Sequence, residues 1–274
     1  MQRISPALAL FLMMLEATMP AGSPQLAIAD PSAEPRERQT TEKPIEQGRQ
    51  ITYNGLPMEI EFQKWLAEYD KDREGSTLIV LGDPAVGTSL ELGSIRLAAE
   101  TLAKKLTGNV EIKDFYSAND FVDYIANTDL TFKNIIWYGH GDATSFWMDV
   151  THGTKEPFFN EGVLEQLAEY KEKFTEDLLF KANTCHAAAD SVEEPNIGEL
   201  VAYYLDADVF AANSWVFARG IADGTGGVDV YYYPATRTDF SVRWPATDPD
   251  DLYSGESQWV IFGDEEVRVS YDNF

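Results

Sequence analysis

The sequence predicts an α/β domain built on a mainly parallel sheet. Between residues 77 and 212, apolar runs of strand length alternate with segments whose apolar residues recur at helical spacing. Strands joined by helices pair in parallel through right-handed crossovers, which favours an open sheet with the strand order 2-1-3-4-5. Beyond Trp215, short strand-like runs follow one another without helices between them, so we expect an antiparallel C-terminal extension.

Five apolar or β-branched runs mark the strands of the predicted sheet, and glycine or polar residues end them. They are residues 77–81, 110–115, 134–138, 178–182 and 208–212. Apolar residues three and four positions apart predict the intervening helices. These helices lie at about 95–106, 117–125, 163–170 and 197–205. The strand-like runs of the extension are 228–233, 240–244, 258–262 and 266–271.

The chain divides into four predicted parts, of which the α/β core, residues 51–215, is the largest. Residues 1–28 carry nine apolar residues at 7–15 and are predicted to be a secretory signal or a docking helix. Nine apolar residues fall short of the roughly 20 that span a bilayer, so no integral membrane span is expected. Residues 29–50 are polar and proline-containing and predict a linker, whereas 216–274 form the β extension packed on the core.

The chain is strongly acidic, with 46 Asp and Glu against 21 Lys and Arg and a formal net charge of −25 over 274 residues. Such a charge repels phosphate backbones, so no nucleic-acid partner is expected. It suits an exported or high-salt protein, or one that meets a basic partner or a cationic substrate. The predicted location is secretion or delivery from the producing cell, with the cytoplasm as the alternative. Cys185 is the only cysteine, which excludes an intramolecular disulfide and leaves a small core side chain or a reactive thiol.

His140 and Cys185 each follow the end of a predicted strand. His140 stands between Gly139 and Gly141 after the third strand, and Cys185 follows the fourth strand. Functional groups of parallel sheets gather past the carboxyl ends of the strands, and neighbouring strands lie about 4.8 Å apart. We therefore expect the two side chains to share one pocket as a catalytic dyad.

The residue types of this dyad suit nucleophilic attack on a carbonyl group. A free thiol titrates near pH ~8.5, and an imidazole together with a following helix N-terminus favours the reactive thiolate. His140 would supply a proton to the leaving amine. The backbone amides of Gly141 and Cys185 are the candidate oxyanion donors. Peptide-bond hydrolysis by this route needs no cofactor.

An apolar strand, His-Gly, a strand-helix unit, and a second apolar strand that ends at a cysteine resemble the caspase-like (clan CD) cysteine peptidases. The resemblance assigns His140-Gly141 to the family's His-Gly and Cys185 to its nucleophile. Residues 197–215 are similar to the helix-strand unit of its bacterial toxin-associated members. The resemblance implies a three-layer caspase–haemoglobinase-like fold and a cysteine endopeptidase that forms a thioester on Cys185. It further implies a protein or peptide substrate and a role as a bacterial effector protease, toxin component or self-processing domain, with a delivery or fusion partner reached through the N-terminal segment.

Three further hypotheses concern the same region. Asp142 follows the His140 loop and is a possible specificity residue for basic substrate side chains. A catalytically silent binding or accessory module is the alternative to an enzyme, because Thr184 and His186 depart from the residues that usually flank the family's cysteine. A zinc site is the rival chemistry, since His140, His152 and His186 surround the single thiol, but no short ligand spacing is present, and no metal is expected.

Overall fold

A computed structural model describes residues 49–51, 55–82, 89–148, 158–189, 195–234 and 259–263. Its central feature is a seven-stranded sheet with the order β1-β11-β8-β7-β4-β2-β3. The strands of this sheet are β1 (Arg49–Ile51), β2 (Ser76–Gly82), β3 (Val110–Phe115), β4 (Phe132–Tyr138), β7 (Phe174–Asn183), β8 (Asp208–Ala212) and β11 (Trp259–Phe262). Two ribbons complete the β structure: β5 (Phe146–Trp147) with β6 (Phe158–Phe159), and β9 (Val216–Ala222) with β10 (Val228–Pro234).

Five helices accompany the strands of the described residues. They are α1 (Gly55–Tyr69), α2 (Ser89–Ala103), α3 (Ala118–Asn127), α4 (Glu161–Leu167) and α5 (Ile197–Leu205), and a 3₁₀ segment, Ala168–Lys173, follows α4. Helix α1 was not among the predicted elements. Phe62, Trp65 and Leu66 nevertheless have helical spacing, and they form a buried face of this helix. None of the described helices combines the length and the apolar character needed to cross a membrane.

The parallel core of the sheet confirms the predicted strand order. β2 pairs in parallel with both β3 and β4, β4 pairs with β7, and β7 pairs with β8. Across the sheet the parallel strands are therefore β3, β2, β4, β7 and β8. Numbered one to five by their order in the chain, they have the predicted order 2-1-3-4-5. β2 and β4 are buried along their whole length, as their continuous apolar runs require.

Helices cover both faces of the sheet and give three layers. On one face α3, α4 and α5 contribute Phe121, Leu164 and Val201 to one apolar core. On the other face α1 and α2 pack with the β9–β10 hairpin, which adds Val230 and Tyr232 to a second core. The fold class is therefore the predicted mainly parallel α/β class with an antiparallel C-terminal part, consistent with the caspase–haemoglobinase-like fold that the resemblance implies.

The antiparallel part is divided between two places. β9 and β10 form a separate hairpin, whereas β11 joins the main sheet antiparallel to β8. β1 pairs with β11, so Arg49 and Gln50, the last two residues of the predicted linker, lie in the sheet. They belong to the sheet because their backbone pairs with β11. Their polar side chains give no sign of this in the sequence. The predicted N-terminal segment, the rest of the linker, and the runs 240–244 and 266–271 lie outside the described residues.

A buried ion pair joins α1 to the centre of the sheet. Lys181 of β7 donates to Glu59 of α1 at 2.5 Å, and neither side chain is exposed. Burial raises the pKa of Glu59, and the Lys181 ammonium opposes that rise. Gln63 also donates to Glu59, and Lys105 of the chain after α2 donates to Gln63, so the pair is linked to a half-buried cation. These contacts fix α1 on the sheet four residues before Cys185.

Candidate active site

The structure brings the His140 and Cys185 loops to the same edge of the sheet. β4 and β7 are parallel neighbours, and Tyr138 lies opposite Asn183 in their register. His140 and Cys185 each come two residues after this pair. Both loops therefore begin side by side at the carboxyl edge of the sheet, as the sequence predicts, and both side chains are partly exposed.

The two loops touch at Gly141. A Cβ atom placed on Gly141 would come within 3.1 Å of Thr184 Cβ and within 2.9 Å of the Ser145 carbonyl oxygen. The approach to the Ser145 oxygen is closer than Cβ atoms are found, so the loop needs glycine here, and the approach to Thr184 is tight. The His140 loop therefore lies directly against the residue before Cys185. Gly139 makes a similar approach, since its Cβ would lie 2.8 Å from the Gly82 carbonyl oxygen.

The His140 loop is a tight hairpin that leads into β5. The Trp147 amide donates to the His140 carbonyl and the Asp142 amide donates to the Ser145 carbonyl, both at 2.9 Å. These bonds flank an antiparallel bridge between Gly141 and Phe146. In this pattern the N–H of the bridging residue points away from its partner, so the Gly141 amide is directed to the side opposite Phe146.

The Asp142 carboxylate holds this hairpin together. Its Oδ1 atom accepts hydrogen bonds from the amides of Thr144 and Ser145, at 2.8 and 2.9 Å, and from both hydroxyl groups. Its Oδ2 atom accepts from the indole N–H of Trp147 at 3.1 Å. The carboxylate that the sequence marks as a possible specificity residue is therefore engaged with its own loop.

Cys185 lies in a turn that is hydrogen-bonded to the segment from the end of β8 to the start of β9. The amide of Val216, the first residue of β9, donates to Cys185 Sγ at 3.5 Å. Next to that contact, His186 N–H donates to the Ser214 carbonyl and Ala188 N–H to the Ala212 carbonyl, each at 2.9 Å. The Val216 amide therefore directs a hydrogen-bond donor at the sulfur.

The N-terminus of α5 connects both loops. Ile197 N–H donates to the Ala143 carbonyl of the His140 loop at 2.8 Å, and Gly198 N–H donates to the Ala187 carbonyl of the Cys185 turn at 2.9 Å. Asn196 and Glu199 close the helix start with a reciprocal capping box. The first amides of α5, which have no partners within the helix, thus set the spacing between the two loops.

His186 is packed against Trp215. It is buried, its backbone is in the left-handed region with φ of 58°, and its ring meets Trp215 edge to face at 4.8 Å. Among the described residues, no group of three or more His, Cys, Asp or Glu side chains is arranged to hold a metal ion. His152, the third histidine of the zinc hypothesis, lies outside the described residues.

One polar residue of the site was not singled out by the sequence. Asn183 is fully buried two residues before Cys185, and neither its Oδ1 nor its Nδ2 atom has a hydrogen-bond partner among the described residues. Tyr138, beside it on β4, has a hydroxyl with no hydrogen-bond partner in the described part of the chain, and burial raises its pKa well above the usual value. A polar amide at the end of an apolar buried strand is the signal that marks Asn183, since buried amides are normally paired.

No protein-family model matches the chain, and no curated protein matches it in sequence. Among solved structures, the chain is similar to gingipain R, an Arg-specific cysteine proteinase, with a TM-score of 0.33 and 14% sequence identity. The similarity covers 63% of this chain and 36% of the gingipain chain, so this chain spans about a third of gingipain R.

Proposed function

We propose that this protein is a cysteine endopeptidase in which Cys185 is the nucleophile and His140 the acid and base. The observation that carries the proposal is that both residues leave neighbouring parallel strands at the same register and that their loops touch where Gly141 meets Thr184. A thiol and an imidazole on touching loops at the carboxyl edge of a sheet are the parts that acyl transfer needs.

The proposed reaction has two steps. The Cys185 thiolate, stabilised by the Val216 amide, attacks the carbonyl carbon of the peptide bond, and the carbonyl oxygen becomes an oxyanion. The amides of Gly141 and Cys185 are the proposed donors to this oxyanion. As the C–N bond breaks, His140 gives a proton to the leaving amine. Water activated by His140 then attacks the thioester, which releases the acid product and the thiol.

We assign Asp142 to positioning His140. Its carboxylate binds the amides of Thr144 and Ser145 and the Trp147 indole, and the Trp147 amide holds the His140 carbonyl. The chain of contacts fixes the backbone of the loop that follows the imidazole. The earlier hypothesis, selection of basic substrates by Asp142, needs a carboxylate that faces the substrate, which makes the two roles separable by experiment.

Asp142→Ala is expected to lower kcat for peptide cleavage by roughly tenfold to a hundredfold, with little change in KM, because a misplaced catalytic group loses about that much rate. Asp142→Asn keeps an acceptor oxygen at the Oδ1 position and should retain most of the rate. Steady-state kinetics on peptides with Lys, Arg or Leu before the cleaved bond check this. A loss confined to the Lys and Arg peptides would support the specificity role and contradict positioning.

The proposed function is tested by labelling Cys185 with a mixture of biotinylated tetrapeptide acyloxymethyl ketones. The wild type should be labelled at Cys185, which mass spectrometry identifies, and His140→Ala should slow the labelling by about a hundredfold, within the range for acid–base catalysis. Tyr203→Ala, which removes an exposed aromatic ring on α5, is the matched control and should label like the wild type. Iodoacetamide reports whether the thiol is accessible in each variant.

Two outcomes would contradict the peptidase proposal. Labelling by iodoacetamide without labelling by any peptide ketone would favour the binding or accessory module. Equal rates of ketone labelling in the wild type and in His140→Ala would remove His140 from the chemistry. The same labelled sample, digested and sequenced, shows whether any other residue reacts.

A further inference from the structure

The β5–β6 ribbon has one buried and one open aromatic face. Phe146 lies opposite Phe159, and Trp147 lies opposite Phe158. Residues directly opposite each other in an antiparallel pair point to the same face. Phe146 and Phe159 are fully buried in the core with stacked rings 5.5 Å apart, whereas Phe158 is 39% exposed and Trp147 is partly exposed.

The open face begins at the candidate catalytic histidine. The ring centroids of Trp147 and His140 are 6.1 Å apart, and the Trp147 amide donates to the His140 carbonyl. On the other side, the Trp147 carbonyl oxygen lies 2.8 Å from where a Cβ on Gly82 would stand, so β5 rests on the end of β2. The face is therefore held against the sheet edge beside His140.

We propose that Trp147 and Phe158 bind an aromatic or large aliphatic side chain of the peptide substrate, close to the cleaved bond. This inference rests on the proposed peptidase function and adds a substrate preference to it. The ribbon follows directly from the His140 loop, and Trp147 lies beside the His140 ring, which places this face next to the proposed dyad. Burying an exposed phenylalanine ring against an apolar side chain is favourable, and aromatic residues are enriched at binding surfaces for that reason.

The rings of the face favour an apolar occupant. Both of its side chains are aromatic, and the indole N–H of Trp147 is used by Asp142 Oδ2. The Asp142 carboxylate, which would attract a cation, also accepts the bonds of Thr144 and Ser145. A substrate side chain on this face thus meets ring surfaces.

The test compares the wild type with Phe158→Ser on a proteome-derived peptide library, with cleavage sites read by mass spectrometry. The wild-type cleavage sites should be enriched in Phe, Tyr, Trp, Leu or Met at one position within three residues of the cleaved bond. For a peptide of that kind, Phe158→Ser should lower kcat/KM about tenfold, as expected when one apolar contact is lost. The same peptide with Ala at that position should change less than about twofold.

Tyr203→Ser is the matched control, because Tyr203 is a similarly exposed aromatic residue on α5. It should leave kcat/KM for both peptides unchanged. Cleavage by the wild type without any apolar preference, or an equal loss for both peptides in Phe158→Ser, would overturn this inference and leave the peptidase proposal standing. Absence of cleavage by the wild type would overturn both.

Discussion

His140→Ala is expected to reduce kcat for peptide cleavage by about 10²- to 10⁴-fold, the usual contribution of a positioned acid–base group. Cys185→Ala should remove cleavage entirely, because alanine cannot form the thioester. The expectation depends on the adjacent exit of the two residues from β4 and β7 and on the contact between Gly141 and Thr184. Single-turnover and steady-state assays on one cleaved peptide measure both losses.

His186→Asn is the matched control for the histidine substitution. His186 adjoins Cys185 in sequence, but it is buried against Trp215 with φ of 58°, a conformation that asparagine also adopts. The variant should keep kcat within a few-fold of the wild type. A loss as large as that of His140→Ala, in a variant that remains folded by circular dichroism, would transfer the acid–base role from His140 to His186.

Lys181→Met is expected to destabilise the protein by about 3–5 kcal/mol, the usual cost of removing one partner of a buried ion pair. Lys181 and Glu59 are both fully buried and 2.5 Å apart, and the Lys181 ammonium also lies over the rings of Phe62 and Trp259. Without the lysine, Glu59 is left as an uncompensated carboxyl group beneath the sheet. The midpoint and slope of urea unfolding measure the change in the free energy of unfolding.

The double variant Glu59→Leu/Lys181→Met should regain most of that loss, because apolar replacement of a whole buried pair is often neutral or stabilising. Lys64→Met is the control, since Lys64 pairs with Glu61 at 2.6 Å on the surface, where such pairs contribute about 0–1 kcal/mol. If Lys181→Met and Lys64→Met destabilise equally, the buried pair is not what fixes α1 to the sheet. A double variant less stable than Lys181→Met would also contradict this account.

The strands and their order were predictable because the residues of each buried strand form a continuous apolar run. Val80 and Ile136 belong to apolar runs that parallel strands covered on both faces require, and helical spacing between them implies crossovers. Helix α1 and strand β1 were not predicted. Phe62 and Trp65 show helical spacing, but Gln50 is polar and takes its place in the sheet through backbone pairing with Val260.

The candidate site divides in the same way. His140 and Cys185 could be placed from the sequence because each follows a recognisable strand, and parallel strands end at one edge. The sequence could not predict that Asp142 binds Trp147 or that Val216 donates to Cys185 Sγ. Both contacts depend on how two loops and a hairpin pack. The burial of the Asn183 amide, which has no hydrogen-bond partner within the described ranges, likewise appears only once its neighbours are in place.

By itself, the sequence determined the parallel α/β core, its strand order and the edge of the sheet at which the His140 and Cys185 loops begin, because these follow from periodicities read over neighbouring residues. The tertiary structure alone decided that Asp142 binds its own loop, that Lys181 contacts Glu59 at a separation of 122 positions, and that Phe158 stays exposed on the β5–β6 ribbon. Such contacts join residues with no periodic relation along the chain, so only packing brings them together.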